Sequence, residues 1–197
     1  MANNGRALIS ALNNGDYDAL DRFVLSETDL GMVNQRVHEL FERAIGGENI
    51  LLFDALLQIP KVKISGKEYC ALRHAAQLGL AEYLQRLEGN PGVNASLKDK
   101  SGFTALHLAL VGRWAEGKAV GLVRIILGFP KLKVNARTLE KKTALHYAMD
   151  KEWYEIAEML MDAGANPNVE DAEGRSATNI GLMATLPDSL FGKMLTF

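Results

Sequence analysis

Only one cysteine, Cys70, occurs in the 197 residues. No internal disulfide can form, and a reducing compartment is the expected home. No stretch approaches the ~18 to 20 consecutive apolar residues that a membrane span requires. The opening Met-Ala-Asn-Asn-Gly-Arg lacks the basic start, apolar middle and small-residue cleavage site of a secretory signal. An intracellular, cytoplasmic protein without transmembrane insertion is therefore expected, with nuclear or host-cell delivery left open. Net charge is also small, at −2. Catalytic motifs are missing as well: no phosphate-cradling loop ending in Lys-Ser or Lys-Thr, no G-x-S-x-G, no H-E-x-x-H and no EF-hand loop. An enzyme is not expected, and neither is a cofactor or a metal.

What the chain does contain is a repeat. Thr104-Ala-Leu-His-Leu-Ala109 and Thr143-Ala-Leu-His-Tyr-Ala148 are near copies, and a leucine at the equivalent place recurs as Leu8, Leu40, Leu72, Leu106 and Leu145, with Thr178 in the sixth place. Subtraction gives spacings of 32, 32, 34, 39 and 33 residues, the range of a solenoid built from small helical units. Gly15, Gly47 and Gly79 repeat at 32 as well. Composition permits this, since 48% of residues are hydrophobic.

One unit can be assembled from its residues. Asp99-Lys-Ser-Gly-Phe103 carries turn chemistry, with Gly102 free to adopt positive φ. Thr104 suits an N-cap. Leu106, Ala109 and Leu110 then share one helix face, and Leu122, Val123, Ile126 and Leu127 supply the face of a second, antiparallel helix. The next unit repeats the plan, with Ile156, Met159 and Leu160 on its second helix and Gly164 placed to end it. Asn166-Pro-Asn168 turns into the hairpin Asp171-Ala-Glu-Gly174, and Ser176 takes the capping place.

These segments resemble the ankyrin repeat family, whose unit is a β-hairpin finger plus two short helices and whose signature reads T-P-L-H-x-A. The resemblance is carried by Gly102-Phe-Thr-Ala-Leu-His107, Val134-Asn-Ala136 and Asp162-Ala-Gly-Ala-Asn-Pro-Asn168, and it thins towards the start of the chain. Cys70 and Arg73 occupy the threonine and histidine places of their unit. Alanine replaces the signature proline at 105, 144 and 177, Glu152 stands where glycine usually ends the first helix, and about five extra residues fall between Gly112 and Gly121, assigned to the turn joining two helices. The expected fold is all-α with short β-hairpin fingers, a single solenoid domain over 1–197 of about six repeats: 1–34, 35–66, 67–98, 99–137, 138–170 and 171–197. The outer two are degenerate caps. The last would use Leu182, Leu186, Leu190, Phe191, Met194 and Leu195.

Residues able to carry chemistry have a plainer use in this frame. His107 and His146 sit in equivalent places of neighbouring units, roughly 8 to 10 Å apart by helix packing, whereas zinc ligands lie ~2.0 to 2.1 Å from one ion. The resemblance implies that each bonds the threonine and backbone of its turn. Cys70 and His74 could face each other one helical turn apart as a nucleophile and base, but no third group is evident. Cys70 fits a small packed residue at a helix start.

Charge is unevenly distributed. Lys plus Arg against Asp plus Glu runs 4 to 8 over residues 1–50, 7 to 5 over 51–100, 8 to 3 over 101–150 and 3 to 8 over 151–197. Lys67, Lys98, Lys100, Arg137, Lys141 and Lys142 fall in hairpin segments, where stacking would align them as a stripe. Such a stripe would steer an acidic partner, and equally would keep strand edges from pairing. Nucleic acid is disfavoured because no aromatic residues interleave with the lysines.

The resemblance implies non-enzymatic binding of another protein, one with an acidic surface being the partner the stripe suits, through a concave surface of fingers and first helices. Its contact positions fall on Lys67, Tyr69, Lys100, Ser101, Phe103, Leu139, Glu140, Lys142 and Arg175 of the fingers and on Gln77, Val111 and Asp150 of the helices. Trp114, in the inserted turn, is either a partner anchor or a ring buried by an extended helix. The isolated chain is expected to be monomeric. Alternative readings are a targeting module or subunit of an enzyme complex, a host-directed bacterial effector acting by protein binding, and anionic lipid or nucleic-acid binding through the stripe.

Overall fold

A computed structural model describes residues 4–66, 70–182 and 187–195. Its helices form two rows. The first row holds α1 (Asn4–Asn13), α2 (Glu27–Gly46), α4 (Ala71–Leu78), α6 (Ala105–Val111), α8 (Ala144–Asp150) and α10 (Ala177–Leu182). The second holds a 3-10 helix (Tyr17–Arg22), α3 (Ile50–Leu57), α5 (Ala81–Leu87), α7 (Glu116–Leu127), α9 (Tyr154–Asp162) and α11 (Asp188–Leu195). Each first-row helix lies against the next one in its row and, from α2 to α8, against the second-row helix that follows it. No helix of the described residues is long and apolar enough to cross a membrane.

The leucine ladder is the spine of the first row. Leu8, Leu40, Leu72, Leu106 and Leu145 are all buried, each worth about 2 kcal/mol of transfer free energy. Small residues set the spacing, since Ala71, Ala75, Ala76, Ala105, Ala109, Ala144, Ala148 and Ala177 are all without solvent contact. In the last unit Leu190 and Met194 are buried. Leu186 and the side chains of Leu182, Phe191 and Leu195 lie outside the described residues.

The first-half units depart from the expected plan. A single helix of 20 residues, α2, runs through the boundary placed at 34/35 and occupies the position of a finger. Its cause is local: Ser26 and Asp29 form a capping box, and Asp29 Oδ1 also accepts from Gly5 N at 2.8 Å, pinning α1 to α2. The hydrogen bonds from Ser26 and Gly5 hold the Asp29 carboxyl below its ordinary pKa. Gly47, the middle one of the evenly spaced glycines Gly15, Gly47 and Gly79, keeps φ at −93°, and Glu48 takes the left-handed place at +50°.

The extra residues near 112–121 do not simply lengthen a turn. α6 stops at Val111, and α7 has 12 residues against seven in α5 and nine in α9, so much of the added length extends the second helix.

Among the described residues the fingers are turns closed by a pair of backbone hydrogen bonds each, with only isolated bridges at Ser65–Cys70 and Glu170–Ser176. Asp99 N donates to Phe103 O, Thr138 N to Lys142 O and Asp171 N to Arg175 O, each at 2.9 Å. The carboxylates of Asp99 and Asp171 each accept two further amides of their own turn. Neighbouring fingers are joined directly, Leu139 N to Ser101 O at 3.0 Å and Ala172 N to Glu140 O at 2.9 Å. Gly102 is indispensable to this. Its φ is +83°, and a Cβ would fall 2.9 Å from Leu139 N and from Thr138 Cα.

Candidate interaction face

The fingers and first-row helices share one face, and two capping boxes build its centre. At Thr104 and Thr143 the hydroxyl accepts from the backbone of His107 and His146, while each ring Nδ1 accepts from its threonine amide at 3.2 and 3.1 Å. An accepting Nδ1 places the proton on Nε2, which in His146 donates to Arg175 O at 3.0 Å on the next finger. Burial lowers both rings, His107 to about 4, with backbone carbonyls opposing. Both histidines are neutral; His146 ties its helix to the finger beyond it, whereas the buried Nε2 of His107 has no hydrogen-bond partner among the described residues.

Two cations of the expected stripe have the same structural use. Lys98 Nζ donates to Arg137 O at 2.8 Å, and Arg137 Nη2 donates to Glu170 O at 2.5 Å. The spacings of 39 and 33 residues match the repeat. Each clamps its finger to the next one. Between repeats the connecting turns are bridged too: Ser96 Oγ donates to Lys131 O and accepts from Lys133 N, and Asn135 donates to Gly164 O and accepts from Asn166 N.

On the outward side of this frame the described contact positions fall together. Lys100, Ser101, Leu139 and Glu140 are exposed on two fingers, Gln77, Val111 and Asp150 are exposed on α4, α6 and α8, and Phe103, Lys142 and Arg175 are half-buried between them. Leu139 is 76% exposed and Val111 38%. Phe103 packs on His107 and Tyr147, with both ring centroids at 5.8 Å. Lys142 joins finger to helix, its Nζ 2.7 Å from Asp150 Oδ2 and 5.5 Å from the Tyr147 ring centre. Burial opposes the Lys142 charge, but Asp150 raises its pKa on balance. Arg175 is held by Asp171 at 3.0 Å. Lys67 and Tyr69 lie outside the described residues.

Trp114 folds back onto the end of α6. Its Nε1 donates to Ala109 O at 2.9 Å, and the half-buried ring covers Gly112, where a Cβ would lie 2.0 Å from it, and approaches Gly79. Lys118 sits 5.4 Å from the ring centre. Neither a free ring nor an extended α6 is the arrangement found. The two glycines were the available signal.

Cys70 is buried at the start of α4, with no side-chain capping bond and its Sγ 4.0 Å from Ser65 Oγ. Burial lowers the pKa of His74, and Glu42 opposes this. Among the described residues no three His, Cys, Asp or Glu are grouped to hold a metal ion.

Residues 72–171 match a family model described as ankyrin repeats (3 copies). An ankyrin repeat protein of Acanthamoeba polyphaga mimivirus is 26% identical over 136 residues, covering 69% of this chain and 16% of that protein. Rabankyrin-5 of Homo sapiens is 33% identical over 103 residues, covering 46% of this chain and 8% of its own length. The chain thus matches only a small part of either relative. With the family model spanning the stacked capping boxes and fingers, the chain belongs to the ankyrin repeat family.

Proposed function

We propose that this chain is a non-enzymatic protein-binding module whose partner docks on the concave surface of fingers and first-row helices. Ankyrin repeats are generally protein–protein interaction modules. The observation that carries the reading is Leu139, 76% exposed at the tip of a finger whose backbone is hydrogen-bonded to both neighbouring fingers. An apolar side chain displayed to water on so fixed a frame suits an anchor, because little conformational freedom is lost when a partner covers it.

Val111 and the Lys142–Asp150 pair extend the same face along the stack. An acidic partner surface is supported by Lys100 and Lys141, which are exposed beside the two clamping cations. Steering by these charges would raise association more than lifetime and would weaken with salt. The proposed site comprises Gln77, Lys100, Ser101, Phe103, Val111, Trp114, Leu139, Glu140, Lys142, Asp150 and Arg175, with Lys67 and Tyr69 added by repeat register alone.

The test is affinity capture of partners with the wild-type chain beside Lys100→Glu plus Lys141→Glu, at low and high salt. Charge-steered recognition predicts that the variant loses partners that the wild type also loses at high salt. Partners indifferent to both changes would refute the acidic-surface part, leaving apolar anchoring by Leu139.

A further inference from the structure

We propose that the hollow between α2, α4 and α6 binds a primary carboxamide, the side chain of an asparagine or glutamine presented by the partner protein. This rests on the reading that the finger face binds a protein, and it names one chemical group which that partner brings.

The observation is Arg73. It stands where His107 and His146 close their capping boxes, but the N-cap of α4 is Cys70, which makes no side-chain capping bond. The guanidinium is left without the local partner that the histidines have. Arg73 is only 8% exposed, and its Nη1 is sealed from solvent with no hydrogen-bond partner. Buried polar groups are almost always bonded, and a charged donor left open is among the most costly exceptions. A fold that tolerates it is poised for an acceptor.

That acceptor has room once the guanidinium turns towards it, since Nη1 itself is sealed from solvent. Arg73 lines a hollow of about 260 Å³, whose walls include Glu42 from α2, Gln77 from α4, Asp99 at the base of a finger and Leu108 from α6. The wall chemistry selects among ligands. A carboxylate would satisfy Arg73 but would have to approach two carboxylates, and like charges at close range disfavour ionisation. An ammonium group would suit Glu42 and Asp99 but would be repelled by Arg73. His74 adds no compensating positive charge near neutrality, since burial lowers its pKa. A carboxamide resolves the conflict, its oxygen accepting from Arg73 while its two N–H bonds donate towards the carboxylates. Leu108 offers an apolar wall for the methylenes of the incoming side chain.

The experiment titrates the intact, isotope-labelled chain with N-acetylglutamine methylamide and, separately, N-acetylglutamate methylamide, and follows the Arg73 Nε–H and Gln77 side-chain signals by NMR. The glutamine probe should give saturable shifts, and the glutamate probe should bind at least about tenfold more weakly. Arg73→Met should abolish the shifts with a thermal midpoint no lower than wild type, because it removes a buried charge without a partner. Glu42→Gln should narrow the preference for glutamine over glutamate. Should Arg73→Met lose its fold, Leu108→Trp, which closes the hollow from the opposite wall, must abolish the shifts instead.

No saturable response in the wild type, shifts that survive Arg73→Met or Leu108→Trp, or glutamate bound as tightly as glutamine would each overturn the proposal. The two readings fail separately. Partner capture that depends on Leu139 without any response to the glutamine probe would sink the hollow and spare the finger face. A glutamine response alongside capture that ignores Leu139 would uphold the hollow and sink the finger face.

Discussion

Acid should destabilise this chain through His107. The ring is fully buried, and its Nδ1 accepts from the Thr104 amide at 3.2 Å. Desolvation is the main cause that moves its pKa from 6.5 to about 4, with the Lys142 carbonyl opposing. The unfolded chain therefore takes up a proton near 6.5 and the folded chain only near 4. Between those values the unfolded state holds more protons, so this contribution is complete above the unfolded pKa and is lost as pH falls through the window. A shift of ~2.5 units at ~1.4 kcal/mol per unit limits the loss to about 3 kcal/mol, of which about 2 kcal/mol is gone at about pH 5. That is a large share of the ~5 to 15 kcal/mol of a typical domain. Burial lowers His146 and His74 as well, which adds to the effect with the same sign.

The assay is urea unfolding at about pH 7.5 and about pH 5 for wild type and His107→Gln, a residue that can still close a capping box at the third helical position. Glutamine does not titrate in this window. The variant should be less stable than wild type at the higher pH, yet should lose about 2 kcal/mol less on acidification. Equal losses in the two proteins would show that His107 is not the proton-sensitive group and would refute the reasoning.

Gly102→Ala should cost more than about 2 kcal/mol in urea unfolding, because φ of +83° and Cβ contacts of 2.9 Å to the next finger's backbone act together. Glu152→Gly should instead stabilise by about 0.5 to 1 kcal/mol, since Glu152 holds φ of +56° and glycine relieves that strain at some cost in unfolded-state entropy. A loss of stability there would show the position to be unstrained. Leu145→Ala should cost about 2 to 5 kcal/mol, and Leu139→Ala should lie within about 0.5 kcal/mol of wild type, because one is buried in the ladder and the other is 76% exposed.

What was legible in the sequence was local or strictly periodic. The Thr104–His107 and Thr143–His146 boxes close within four residues, and the leucines recur at the period of the stack, so both could be placed without knowing the fold. The long α2 was legible in principle, as Ser26-x-x-Asp29 is a capping signature, but its 20 residues cut across the leucine register. Lys98 and Arg137 were legible only as charge. Their role depends on carbonyls 39 and 33 residues away, which become neighbours only once the fingers stack. Trp114 was ambiguous for the same reason, because its fit depends on the space above Gly112 and Gly79. Arg73 was readable as a departure at the histidine place, and its missing partner emerged only with α4 in position.

The claim on which the rest depends is that partners bind the finger face. It is tested most directly by quantitative capture with the wild-type chain, Leu139→Asp on that face, and Leu51→Asp on α3 of the other row, where Leu51 is 63% exposed. Partners should be lost with Leu139→Asp and retained with Leu51→Asp, both variants unfolding as the wild type does. Retention by the first together with loss by the second would contradict the account and move the binding surface to the second row.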